Sequence, residues 1–356
     1  MSELPVHAPV NLYDLSLPEL TARLAEWGQP AFRARQVWEW LYRHFAAAPA
    51  EMTSLPGALR QRLAAETTLS IGDIVLRQHS RDGQTTKVLF RMHDGQFIET
   101  VLMAYEKRRT LCISTQAGCA MGCVFCATGQ MGFMRHLNVA EIVGQVIYFA
   151  RELAARGEHV TNIVMMGMGE PLHNYDNTLA AVDRLTDPAG LNLGARKITI
   201  STVGLVPAIR RYADEQRQTK LAISLHAADD EERGRLLPVN RRWPIAVLMD
   251  ACRYYVEKTG RRLTFEWALI AGENDTEEQA HKLGRLLQGL LAHVNLIPLN
   301  PTAGYGGLPS SPERVDRFQR VLAEYGVGST VRVRRGIDIQ AGCGQLRDRH
   351  LSAGRA

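Results

Sequence analysis

The sequence predicts an α/β protein: a partial (β/α)6 TIM-type barrel preceded by a small N-terminal helical accessory domain. Two patterns predict it. From Arg109 onward, short β-rich runs alternate with amphipathic stretches, which implies parallel strands joined by helical crossovers. Before residue 95, helical spacing dominates instead, which sets expected domains of 1–95 and 96–356.

The first helix is expected in LSLPELTARLAEWG, with Ser16 as N-cap, an early Pro18 and Gly28 as the stop. PAFRARQVWEWLYRHF follows, with Phe32, Val37, Trp40 and Leu41 or Phe45 at helical spacing, and PGALRQRLAAE predicts a third helix. TTKVLFRMHDGQFIETVLMAY alternates around Asp94-Gly95, a hairpin signal. The barrel strands are TLCIST, NIVMMGM, KITISTV, KLAISLHA, RLTFEWALI and HVNLIPLN, and STVRVRRG is a last strand-like run. Between them lie helices such as VAEIVGQVIYFARELAARG and PIAVLMDACRYYVEKTG. Six units fall short of the eight of a closed barrel, so the sheet is expected to stay open.

The 356 residues suit two or three domains or one large barrel with an extension, and 46% hydrophobic with 22% charged residues is ordinary globular composition. No apolar run reaches the roughly 18 residues of a membrane helix. MSELPVHAPVNLYDL lacks the basic and apolar parts of a signal peptide, so a cytoplasmic protein is expected. A net charge of +5 suits a polyanion such as RNA without specifying one.

Four of the six cysteines, Cys112, Cys119, Cys123 and Cys126, crowd one short stretch, while Cys252 and Cys343 stand apart. With no export signal, such clustering reads as metal binding or catalysis. GCAMGCVFCATGQMGF follows the first barrel strand with C-x3-C-x2-C spacing. Three thiolates can hold three irons of a cubane cluster and leave the fourth open to a small ligand. A structural zinc site needs four ligands, usually in pairs, and this triplet lacks the fourth. With the aromatic Phe125 before its last cysteine, the segment resembles the radical S-adenosylmethionine superfamily. That implies a [4Fe-4S] cluster on Cys119, Cys123 and Cys126 and a partial barrel of that type.

Polar residues recur at successive strand ends, where parallel α/β folds bind ligands. MMGMGEPL carries Gly167, Gly169 and Glu170, ISTVG carries Ser201, SLHA carries Ser224 and His226, and LNP carries Asn300. Each alone reads as an ordinary loop residue; together they describe a pocket. The resemblance assigns contacts with S-adenosylmethionine to Gly169, Glu170, Ser201, Ser224, Leu225, His226 and Asn300.

Cys252 reads as a small core residue on an amphipathic helix. Cys112 lies seven residues before the first cluster cysteine, and Cys343 sits between Gly342 and Gly344, in a segment expected to be mobile or tightly turned. IETVLM, TLCISTQAGC, FCATG, GMGEPL, ISTVGLVP, SLHA and RRGIDIQAGCGQL occur in this order. Together they resemble, over nearly the whole chain, the dual-specificity adenine-C2 methyltransferases of 23S rRNA and tRNA, the RlmN family, and the related Cfr enzymes that methylate C8 of the same rRNA adenosine.

The resemblance implies a radical methyltransferase that uses two S-adenosylmethionine molecules per turnover. Cys343 takes a methyl from the first. The second, cleaved at the cluster, yields a radical that activates this S-methyl group for addition to the adenine. Cys112 then resolves the crosslink, ending in a Cys112–Cys343 disulfide, and Glu99 in FIETV matches a proton acceptor. It also implies an electron donor such as flavodoxin or ferredoxin. Nothing requires more than a monomer. Pro171, where the C8 enzymes carry alanine, favours C2. A non-catalytic, metal-containing RNA-binding protein is the alternative of another class. For RNA contacts the candidates are Arg33, Arg35, Trp38, Trp40, Tyr42 and Arg43 on the second helix, and Arg332, Arg334 and Arg335 in VRVRRG.

Overall fold

The structure, a computed structural model, describes residues 9–346. The first eight residues of MSELPVHAPVNLYDL therefore lie outside the described residues.

The N-terminal module holds β1 (Val10–Asn11), α1 (Leu17–Glu26), α2 (Phe32–Tyr42), α3 (Gly57–Glu66) and β2 (Thr67–Thr68), with β1 and β2 paired in parallel. Ser16 caps α1 in a reciprocal capping box with Glu19, and Gly28 follows the helix at φ +71°. The module docks on the barrel's helices through polar contacts at its rim. Arg43 Nη2 donates to Pro188 O (3.0 Å), Arg184 Nε to Leu15 O (3.0 Å) and Arg151 Nε to Phe45 O (2.6 Å).

Trp38 and Tyr42 are fully buried, with ring centroids 4.5 Å apart, and both lie close against Gly190 of the barrel. They belong to the core and present nothing to RNA. Trp40 is half-buried, and its indole N–H donates to Ser54 Oγ. Trp38→Ala should cost about 3–5 kcal/mol, because a large side chain leaves a gap its neighbours cannot close; the midpoint of chemical denaturation reads it.

One ten-stranded sheet forms the rest. The antiparallel part runs β3 (Asp73–His79), β4 (Thr85–Arg91), β5 (Phe97–Ala104) and β6 (Arg109–Cys112). The strand-rich alternation predicts β4 and β5, joined at Gly95 (φ +82°), but not β3. β3 is an edge strand with almost every residue exposed, so no core-facing period marks it. Through β6 the hairpin continues into the parallel part: β6, β9 (Asn162–Met165), β10 (Ile198–Thr202), β11 (Lys220–Ser224), β12 (Leu263–Leu269), β13 (Ala292–Pro298) and the short β14 (Ser329–Val331). A separate two-stranded ribbon, β7 (Gln116–Gly118) and β8 (Phe133–His136), flanks the cysteine loop and the short α4 (Ala127–Met131).

The crossovers are α5 (Val139–Ala154), α6 (Tyr175–Thr186), α7 (Val206–Asp214), α8 (Asp230–Leu236) with α9 (Ile245–Thr259), α10 (Glu277–Leu287) and α11 (Pro312–Glu324). Asn138 and Glu141 close a capping box on α5, and Gly260 ends α9 in the left-handed region. Cys252 is fully buried in α9, as expected of a core thiol. No helix among the described residues is long and apolar enough to cross a membrane.

Candidate active site

The six principal parallel strands end around one cavity of about 160 Å³, open on one side. Cys119, Cys123 and Cys126 line it, and so do Gly169, Glu170, Ser201, Ser224, His226 and Asn300. Leu225 does not. Its side chain is fully buried, and its backbone bonds the neighbouring strand through Glu266 O (3.1 Å). The alternation of side chains along a strand explains the difference: Ser224 faces the cavity and Leu225 the core.

The cysteine loop is tied to the barrel on two sides. Val124 N–H donates to Leu236 O at the end of α8, and Ala127 N–H donates to Gly344 O beside Cys343. Phe125 packs edge-on against His226, with centroids 5.0 Å apart. His226 stands at φ +60°, a conformation costly for a residue other than glycine. Its Nδ1 accepts the Ala268 N–H at 2.9 Å, so the proton sits on Nε2. Burial, and then the Arg233 cation, pull its pKa down to about 3, so the ring is neutral.

Gly167 and Gly169 have a packing reason as well as a ligand-facing one. A Cβ on Gly167 would lie 2.6 Å from the Ile113 carbonyl carbon, and one on Gly169 2.5 Å from Gln116 Cβ. The glycines let the end of β9 lie against the chain leaving β6. Gln116 Oε1 accepts the Glu170 N–H (2.8 Å), and Gln116 Nε2 contacts Nδ1 of both His136 and His173. The Glu170 carboxylate accepts the N–H groups of Val203 (2.8 Å) and Leu172 (3.0 Å). Burial nevertheless raises its pKa to about 7.

The residues present fit a bound cluster and its organic ligand. Burial drives the Cys119 thiol up to about 12, lifts Cys123 well above its usual value and raises Cys126, a cost that thiolate–iron bonds would offset. Among the described residues, no three His, Cys, Asp or Glu side chains converge as for a single metal ion. The three sulfurs instead border a common space. Two buried acceptors on the same wall, Asn300 Oδ1 and Glu266 Oε2, have no partner within the protein and are placed to receive a ligand's donors.

Sequence reading did not single out Glu266. The signal was there, an acid inside the apolar strand LTFEWAL, but only the cavity gives it meaning. Its other oxygen accepts from Asn295 Nδ2 (2.9 Å), and burial raises its pKa.

A second, smaller cavity, of about 40 Å³, adjoins the first and is lined by the two remaining thiols of interest. Cys112, at the end of β6, lines it from the sheet, and Cys343 lines it from the C-terminal segment. Cys343 also lines the cluster cavity, so its thiol stands between the two spaces. Its segment is tightly turned, with Gly336 at φ +59°, Gln340 at +54° and Gly344 at +80°. Asn300 Nδ2 holds the Cys343 carbonyl at 3.0 Å. Burial raises both thiols, Cys112 to about 12, and Arg332 pulls both back down.

β14 stops at Val331, and Arg332–Arg335 run on irregularly as the rim of this second cavity instead of one face of a strand. Glu99 lies on β5, buried, with its carboxylate 2.8 Å from Lys87 Nζ. It lines neither cavity, but it shares the sheet face of Cys112: Val101, two residues on, pairs directly with Cys112.

Residues 113–284 match the radical SAM superfamily, and residues 10–69 match the ribosomal RNA large subunit methyltransferase N-terminal domain. The dual-specificity RNA methyltransferase RlmN 1 of Myxococcus xanthus is 58% identical, covering 97% of this chain and 96% of its own. A probable dual-specificity RNA methyltransferase RlmN of Chloroflexus aurantiacus is 53% identical over 95% and 93%. The crystal structure of a radical SAM methyltransferase from Sphaerobacter thermophilus superposes with a TM-score of 0.93 at 53% identity, covering 95% of this chain and 99% of that one. A three-thiol loop at the mouth of the parallel strands, a cavity behind it and relatives this similar from end to end lead to one assignment: the chain belongs to the RlmN family of radical SAM methyltransferases.

Proposed function

We propose that this protein methylates C2 of an adenine in the peptidyl transferase centre of 23S rRNA and in tRNA, with Cys343 as the methyl carrier. The observation that carries the reading is the place of Cys343, bordering the cluster cavity on one side and the Cys112 cavity on the other. Cys119, Cys123 and Cys126 would hold the [4Fe-4S] cluster, and Gly169, Glu170, Ser201, Ser224, His226 and Asn300 the S-adenosylmethionine. The cluster and its ligand, when bound, supply a carbon radical.

The chain's own residues do the rest. The Cys343 thiolate attacks the methyl carbon of one sulfonium, releasing S-adenosylhomocysteine, and keeps the methyl as a thioether. After one hydrogen is taken from that methyl, its carbon bonds to C2, linking RNA and protein. The C2 proton passes to the Glu99 carboxylate, and the electron left unpaired by the addition would be given up to the same one-electron carrier that serves the cluster. Cys112 sulfur then attacks Cys343 sulfur: an S–S bond forms, the S–CH2 bond breaks, and its electron pair goes to carbon, which takes a proton and becomes the product methyl. A thiol reductant resets the disulfide, and a flavodoxin or ferredoxin would supply the electron for the cluster.

Mass spectrometry of adenosine from 23S rRNA fragments and tRNA, treated with anaerobically reconstituted enzyme, tests the proposal. The expected product is 2-methyladenosine from both RNAs. 8-Methyladenosine would overturn the position, and a colourless protein with one zinc in place of about four irons would overturn the cluster.

A further inference from the structure

Lys87 is a buried charged residue that the roles above leave unused. It sits in the middle of β4, where every residue from Thr85 to Phe90 is buried, and its own side chain is 8% exposed. A buried ammonium costs several kcal/mol unless it is paired, so a lysine here needs a reason. Its Nζ lies 2.8 Å from Glu99 Oε1 and donates to the carbonyl of Gln340 at 3.4 Å. The first partner is the proposed proton acceptor. The second is three residues before Cys343, in the left-handed conformation noted above. Lys87 also pairs across the sheet with Val101, which pairs with Cys112, so the three side chains stand in one row on one face.

The contact with Gln340 is one of several that seat the Cys343 segment on the β3–β4 hairpin. Arg81 N–H donates to Asp338 Oδ2 at 2.9 Å, and Arg335 bonds the Gln84 amide. Gly336 lies so close to Thr85 that a Cβ there would meet its methyl at 2.8 Å. Of these groups Lys87 is the one that touches the acid as well as the segment. Without its ammonium, the Glu99 carboxylate would lose an ion pair at 2.8 Å, and the Gln340 turn would lose one of its contacts with the sheet.

We infer that Lys87 is a positioning residue for the release half of the reaction: its ammonium holds the Glu99 carboxylate on the face that carries Cys112 and fixes the turn that carries Cys343. The inference rests on the reading of Glu99 as proton acceptor. The proton from C2 goes to the carboxylate and from there to solvent, and no electron passes through Lys87.

The experiment follows three quantities in the full-length reconstituted enzyme: the methyl on Cys343 by intact mass, the covalent RNA adduct by denaturing gel, and methyladenosine by mass spectrometry. For Lys87→Met we expect methyl loading within about twofold of the parent, adduct accumulation and roughly 10²-fold slower product formation, the scale of a misplaced acid–base group. Lys87→Arg should recover to within about tenfold. Lys87→Gln, which keeps a donor for Gln340, combined with Glu99→Gln should be no slower than Glu99→Gln alone, because Lys87 and Glu99 act on the proton step as one unit. Should Lys87→Met fail to fold, Lys87→Gln, which keeps a donor for Gln340, takes its place with the same expected stall.

Turnover at the parent rate in either neutral variant, alongside a stalled Glu99→Gln, overturns the role of Lys87 alone. An equal fall in loading and release also overturns it, since that is the mark of a merely structural lysine. Glu99→Gln with normal turnover overturns the acid reading itself.

Discussion

Cys343→Ala is expected to abolish product and to leave the protein unmethylated, while cluster binding and stability stay near those of the parent. The variant has no sulfur to accept the first methyl, and no neighbouring group can take its place: an adenine C2 is electrophilic and does not attack a sulfonium by itself. Protein surrounds the Cys343 sulfur closely enough to raise its pKa, yet the residue is accessible to solvent between two cavities, so its truncation should change stability by no more than about 0.5 kcal/mol. Intact mass after incubation with S-adenosylmethionine, with and without RNA, reads the result. Methyladenosine made by an enzyme that lacks this sulfur would overturn the carrier role.

Cys112→Ala has the opposite signature. Methyl loading and addition to RNA should proceed, and the reaction should halt at a covalent adduct that approaches one per enzyme, with less than one product released. Cys112 shares the second cavity with Cys343, at the end of a sheet strand that cannot readily move, so it is placed to meet the sulfur once the carbon has left. Burial holds its pKa near 12, which makes it a poor nucleophile at rest, and Arg332 is the cation that favours its thiolate. The substitution removes a small buried side chain and should cost on the order of 1 kcal/mol. Denaturing gels with labelled RNA give the answer; free turnover by this variant would remove Cys112 from the mechanism. The two variants thus separate loading from release, the division that Lys87 is inferred to respect.

The Lys87–Glu99–Gln340 contacts also tie the hairpin before the barrel to the segment that carries Cys343. β4 and β5 extend the barrel sheet on its antiparallel side and form the floor under the Cys343 segment. The N-terminal helices have a different relation to the site. They pack on the outer helices through buried Trp38 and Tyr42, while Arg35 and Arg43 are exposed and Arg33 is half-buried, with Arg43 also bonded to carbonyls of the barrel.

Much of this protein was legible in its sequence, because the features concerned are local. The spacing of Cys119, Cys123 and Cys126 lies within one loop, caps such as Ser16 lie within one turn, and barrel strands announce themselves by short apolar runs. Strand ends carrying Glu170, Ser201, Ser224, His226 and Asn300 were likewise readable, since parallel folds place ligands there. Residues whose meaning depends on distant partners were not. Glu266 is an acid in an apolar strand until the cavity shows its unpartnered oxygen. Lys87 is one more lysine until Glu99, twelve positions away, and Gln340, 253 positions away, meet at its ammonium. Trp38 and Tyr42 look like an RNA platform until the barrel covers them. By itself, then, the sequence determined the chemistry available: a radical-generating loop and two thiols. Only the tertiary structure decided where that chemistry can act, because which cavity a thiol borders depends on the packing of segments more than two hundred residues apart.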